Sequence, residues 1–173
     1  LYLKFMSVKI TYKNDISNKN AHNLVLFVDE KFNISNLKKY ISGKEYSIMS
    51  DLLKAKDIKK KILTFDINSK RKIILISLKK DLTTTEAENI GAKFYDYFKN
   101  LNQNEYHINS DTITNKLENC VGYFLHGIKL KSYSFDKYKT KKTKKIFKLI
   151  ISGKKIPSSK NQIRFKAIED GTF

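Results

Sequence analysis

Between Val8 and Tyr12, apolar and polar residues alternate with the period of a short strand. An Asn-, Asp- and Ser-rich turn occupies 14–20. From Asn23 to Val28 the run is almost continuously apolar, with β-branched and aromatic members, and Asp29-Glu30 ends it. That pattern predicts a strand buried on both faces. Residues 34–41 fit either a helical turn or an irregular excursion. Ile48, Leu52, Leu53 and Ala55 lie at helical spacing, which predicts a short helix over 47–56. Two strands are expected at 61–67 and 72–78, and Asn68-Ser69-Lys70 between them has the turn chemistry of a hairpin.

The clearest helical signal comes next. Thr83 and Glu86 have capping-box spacing. Ala87, Ile90, Gly91, Phe94, Tyr97, Phe98 and Leu101 then recur in steps of three and four, on one helical face. Glu105 to Ile108 is a candidate strand. Asp111 is the expected cap of a second long helix with apolar positions Ile113, Leu117, Val121, Phe124, Leu125 and Ile128. That helix-like run ends in a string from Tyr133 to Thr140. A last strand is expected within 144–152, followed by a linker-like stretch containing Gly153, Pro157, Ser158 and Ser159, and a helix from about Gln162. Strands interleaved with helices predict an α/β sandwich around a mixed sheet.

At 173 residues the chain fits one ordinary domain with a short extension. Cys120 is the only cysteine, so no intrachain disulfide forms, and a cytoplasmic location is the expectation. The longest apolar stretches, 24–28 and 73–76, fall well short of the ~18 residues of a membrane span. Lys4 and Lys9 interrupt any signal-peptide centre, and Met6 is read as the natural start. The net charge of +18 suggests a phosphate-bearing partner. Arg71 and Arg164 are the only arginines, however, and arginine is the side chain suited to bidentate phosphate contacts. An excess of Lys, Asn, Ile, Tyr and Phe is also what AT-rich codons supply.

Catalytic chemistry is hard to place. His22, His107 and His126 are dispersed, without His-x3-His or Cys-x2-Cys spacing. Cys120 and His126 are six apart on the second helix, roughly 120° off a common face. The acidic pairs Asp29/Glu30, Glu86/Glu88 and Glu169/Asp170 read as strand-end or helix-start groups. Nucleophile-elbow, Walker and dinucleotide motifs are missing. No catalytic or metal-ligating residue is therefore assigned. The basic stretch from Lys137 to Lys148 is the nucleic-acid candidate: Lys139, Lys141, Lys142, Lys144 and Lys145, with Lys137, surround Tyr138. Its plain alternative is a solvated loop.

The carboxy-terminal part of the chain carries a family resemblance. Gly127-Ile128-Lys129-Leu130-Lys131-Ser132 precedes Tyr133-Ser134-Phe135-Asp136-Lys137-Tyr138-Lys139, and Ala167-Ile168-Glu169-Asp170-Gly171 follows downstream. With Leu24 to Glu30, Leu52-Leu53-Lys54 and the small pair Gly91-Ala92, this resembles the amino-terminal domain of leucyl aminopeptidases. One departure is Lys79-Lys80-Asp81, where that family usually has a glycine-bearing turn.

The resemblance implies a three-layer, macro-like α/β domain over 6–152, a linker over 153–161, and over 162–173 the start of a helix leading to a catalytic domain. It implies a cytosolic homohexamer that removes amino-terminal residues from peptides with two divalent metals, zinc or manganese, held outside this chain. Tyr133, Phe135, Asp136 and Lys137 would form a packing motif, beneath the last strand or against the catalytic domain or a neighbouring subunit. Some members also bind DNA, with participation of this domain.

Overall fold

The computed structural model describes residues 8–14, 18–55, 59–137 and 146–171, with the backbone alone for 134–137. Six strands, β1 (Val8–Tyr12), β2 (Asn23–Val28), β3 (Ile62–Asn68), β4 (Arg71–Ser77), β5 (Glu105–Asn109) and β6 (Phe147–Ser152), form one sheet. The helices are α1 (Gly43–Ala55), α2 (Thr84–Phe98), α3 (Cys120–Lys137) and α4 (Ser159–Gly171), with short 3-10 turns at Ser35–Leu37 and Ser110–Thr112. The sheet order is β1-β6-β5-β2-β4-β3. All neighbours are parallel except the β3–β4 hairpin, so the sheet is mixed as expected.

β2 sits between β4 and β5, in register Leu24 with Ile73 and Leu24 with His107. Its alternate residues feed two cores. Val25 and Phe27 join Ile74, Ile76, Phe94, Phe124 and Ile128 beneath α2 and α3. Leu24 and Leu26 join Leu37, Met49, Leu63 and Leu75 beneath α1 and the 3-10 segment. The uninterrupted apolar run is thus a strand covered on both faces, in the middle of a three-layer fold.

Phe94 is the hub of the first core, with Phe98, Tyr106, Phe124 and Phe147 ring centroids between 4.8 and 6.1 Å away. Two glycines bring α2 and α3 together. A Cβ at Gly91 would lie 2.0 Å from the Phe124 carbonyl oxygen, and one at Gly127 would lie 2.0 Å from that of Glu88. Any side chain at either position would push the two helices apart.

Several local expectations need correction. The α2 capping box is present, but the buried face runs through Tyr95, while Tyr97 is 57% exposed and Leu101 lies beyond the helix end at Phe98. The stripe 87-90-91-94-95-98 follows the true helical phase, and Tyr97 stacks on Phe98 at its flank. Helix α1 starts at Gly43, earlier than its apolar spacing implies. Ser42 and Glu45 cap it reciprocally: Glu45 N–H donates to Ser42 Oγ (3.1 Å) and Ser42 N–H to Glu45 Oε1 (3.0 Å).

The second long helix begins at Cys120, so Asp111 does not cap it. Asp111 lies in a 3-10 turn, Ile113 is extended and buried, and Asn119 at φ 56° turns the chain into the helix. The helix continues through Lys137 and so takes in the Tyr133 to Lys137 part of the string. At Lys79-Lys80-Asp81, where the resembling family has glycine, no residue has a positive φ, and the turn is made with ordinary backbone angles.

Beyond β6, Gly153 at φ 97° lets the chain pass Ser110 and Asp111 closely. Lys154 N–H then donates to Asp111 Oδ1 (2.9 Å), and Lys155 Nζ donates to the Ile113 carbonyl. Pro157 is buried. α4 starts at Ser159, three residues before the expected Gln162, with Asn161 N–H donating to Ser158 Oγ (3.2 Å).

Candidate functional site

In an open α/β sheet, ligands gather at the carboxyl ends of strands where successive connections leave for opposite faces. β2 leads to the 3-10 segment and α1 on one face, and β5 leads to α3 on the other. The cleft between their ends measures about 520 Å³ and is lined by Phe27, Asp29, Asn33, Lys38, Tyr40 and Thr112 among others. Several of its polar groups are engaged with backbone. Asp29 Oδ1 accepts from the N–H of Lys31 and of Asn33 (3.0 Å each), which holds Phe32 at φ 54°. Thr112 Oγ1 accepts from Phe27 N–H (2.9 Å) and donates to the Asn109 carbonyl (2.7 Å). Asp111 holds Lys154. Lys38 Nζ lies 4.9 Å from the centre of the Tyr46 ring. These groups shape the loops, and none of them is set against a nucleophile or base.

The most deeply buried charge cluster lies between α3 and α4. Glu169, 5% exposed, takes His126 Nδ1 on Oε1 (3.0 Å) and Lys129 Nζ on Oε2 (3.1 Å). His126 is itself 6% exposed. The Phe165 ring stacks on His126 and meets Tyr123 edge-on, both at 5.3 Å. Gly122 opens the space beneath: a Cβ there would lie 2.7 Å from the Phe165 ring and 3.0 Å from Pro157 Cγ. On β1, burial and then the Glu169 charge push the Tyr12 phenol up to about 12. The carboxylate belongs to α4 and both of its partners to α3, so the cluster ties the two helices together.

Other residues singled out from the sequence fall into separate places. Tyr133 is half-buried on α3. Phe135, Asp136 and Lys137 share that helix, with side chains outside the described residues, as are Lys139, Lys141, Lys142, Lys144 and Lys145 altogether. His22 and His107 meet in a polar crevice at the amino ends of β2 and β5, with Asn23, Gln103, Asn104 and Glu105. There His107 Nε2 contacts Glu105 Oε1 (3.2 Å), and His22 Nδ1 contacts the Lys70 carbonyl (3.0 Å). Cys120 is buried, and burial, opposed by a hydrogen bond from Asn115, pushes its thiol up. Among the described residues no group of three or more His, Cys, Asp or Glu could hold a metal ion. No described helix is long and apolar enough to cross a membrane.

Two clusters escaped the sequence reading. Glu169 is not a helix-start group: it lies in the last turn of α4 and is buried against a histidine 43 residues away. Arg71 donates to Glu45 (2.9 Å) and, through Nη1, to the Asn18 and Ala21 carbonyls (2.6 Å each). Its rarity was the available signal, being one of two arginines beside an apolar strand run.

No family model and no curated protein sequence matches the chain. Solved structures do. A lysine-to-glutamate mutant of tomato leucine aminopeptidase aligns at TM-score 0.69 and 14% identity, over 95% of this chain and 36% of that one. The macrodomain of Thermus aquaticus DarG aligns at TM-score 0.53 and 10% identity, over 85% of this chain and 99% of that one. At such identities the likeness is one of fold. This chain has the three-layer α/β architecture of a macrodomain, and it spans about a third of the length of the leucine aminopeptidase it matches.

Proposed function

We propose that this chain is the amino-terminal, non-catalytic domain of a leucyl aminopeptidase-like metallopeptidase, with residues 6–152 as the domain proper, 153–161 as connector and 162–173 leading to the catalytic domain. The observation that carries this reading is the asymmetric fold match: nearly all of this chain aligns with about a third of the tomato enzyme. In this reading two divalent ions, zinc or manganese, sit in the catalytic domain, where they activate water and polarise the peptide carbonyl. The present chain packs on that domain, with Tyr133, Phe135, Asp136 and Lys137 near the contact, and supports a cytoplasmic homohexamer.

Purified chain incubated with a leucyl anilide and Mn²⁺ or Zn²⁺ is expected to show no hydrolysis, and robust metal-dependent turnover refutes the non-catalytic part. The reading frame after codon 173 tests the parentage. It is expected to encode a lysine- and aspartate-bearing metal site, and unrelated sequence there removes the assignment.

A second reading rests on the net charge of +18 and the lysines gathered between 137 and 148. As a nucleic-acid module the chain would bind with an affinity that falls steeply with salt. Neutral substitutions at Lys141, Lys142, Lys144 and Lys145 would weaken it, and unchanged affinity in that variant excludes this stretch as the contact.

A further inference from the structure

We propose that α4 is a releasable latch: Phe165 and Glu169 are its pegs, and His126 with Lys129 on α3 forms the charge socket that decides whether it is seated. The two pegs lie four residues apart and so share one helical face. Around them Ile163, Arg164, Lys166, Ala167 and Ile168 are exposed, Ile163 at 69%. The described side-chain contacts of α4 with α3 run through this aromatic ring and this carboxylate. A helix of 13 residues is marginal in isolation, so the order of α4 depends on that seat.

The seat is specifically shaped. Gly122 and Pro157 bound the space the Phe165 ring fills, and His126 stacks on it. The Glu169 carboxylate, out of water, is tolerable only with the Lys129 ammonium and the His126 ring as partners, which makes seating nearly all-or-none. The main core lies elsewhere, in β2 and β4 between α1 and α2/α3. Opening α4 thus costs less than unfolding the sheet. The functional meaning rests on the reading above, since the latch would set the direction in which the chain leaves this domain for the catalytic one. The latch itself does not depend on that parentage.

Hydrogen exchange followed by mass spectrometry on the full chain tests it. In the unaltered protein, α4 amides should exchange at least ~10-fold faster than those of β2 and β4. Glu169→Lys should accelerate α4 roughly 100-fold while leaving β2 and β4 within about 3-fold. Adding Lys129→Glu to that variant should return α4 to within ~10-fold of the original, because the reversed pair again neutralises the socket. Three results overturn the latch: α4 amides as slow as the sheet's in the unaltered protein, equal acceleration of helix and sheet in Glu169→Lys, or no recovery in the reversed pair. Aminopeptidase assays and the downstream reading frame bear on the parentage alone, so the two ideas fail separately.

Discussion

Gly91 and Gly127 set the distance between two helices, and each is answerable to a single carbonyl. A methyl group at Gly91 would meet the Phe124 oxygen at 2.0 Å, and that oxygen belongs to a helix already fixed by Phe94, Phe27 and Ile128. Gly91→Ala should destabilise the protein by about 3 kcal/mol, the cost of overpacking with no flexible neighbour to yield, read as a lower midpoint in urea. Arg71 and Glu45 act through charge. Burial alone would raise the Glu45 carboxyl, but hydrogen bonds from Arg71 and Ser42 and the Arg71 charge win and hold it below its ordinary value near 4.5. A carboxyl depressed in the folded state contributes stability above its unfolded pKa and loses it as pH falls through the folded one. Glu45→Gln should therefore flatten the loss of thermal stability below about pH 4.5, and a parallel acid limb in that variant would dissociate the pair from acid sensitivity. Arg71→Met, which strands Glu45 and two carbonyls, should cost about 3 kcal/mol in the same urea assay at neutral pH.

Elements were read best where a local rule was also the structural cause. Thr83 and Glu86 start α2 through their own side chains, and Thr83→Ala should remove about 1 kcal/mol, measured by chemical denaturation. The same spacing at Ser42 and Glu45 starts α1, yet the apolar pattern there begins later and hid it. The two-sided strand at β2 was legible because a continuous apolar run has few other uses. The start of α3 was not. Ile113 and Leu117 keep helical spacing while packing from a loop, because a buried side chain needs only to reach the core and its backbone can take any course. The candidate sites were less legible than the elements. His126 with Glu169, and Arg71 with Glu45, pair across 43 and 26 residues, and a single long-range pair has no periodicity to betray it.

For the molecule as a whole, alternating strands and helices implied three layers, but the order of strands followed from nothing local. The carboxyl-end cleft lies where such sheets take ligands, yet Asp29, Asp111 and Thr112 there are committed to loop backbone, and the crevice at the opposite end holds two histidines and Glu105 in no arrangement that could hold a metal ion. Fold and function thus separate here, and the functional reading rests on architecture shared over most of the chain.

β6 lies between β1 and β5, so among the described residues the early strand β1 is paired only by the much later β6, Val8 against Phe147. During synthesis on the ribosome β1 must wait, while β5, β2, β4 and β3 can assemble without it. Until β6 arrives, β5 presents an open parallel edge, a template for pairing with another nascent chain. A product ending before Phe147 should accordingly sediment as aggregate rather than melt cooperatively. Premature termination would be this protein's characteristic hazard.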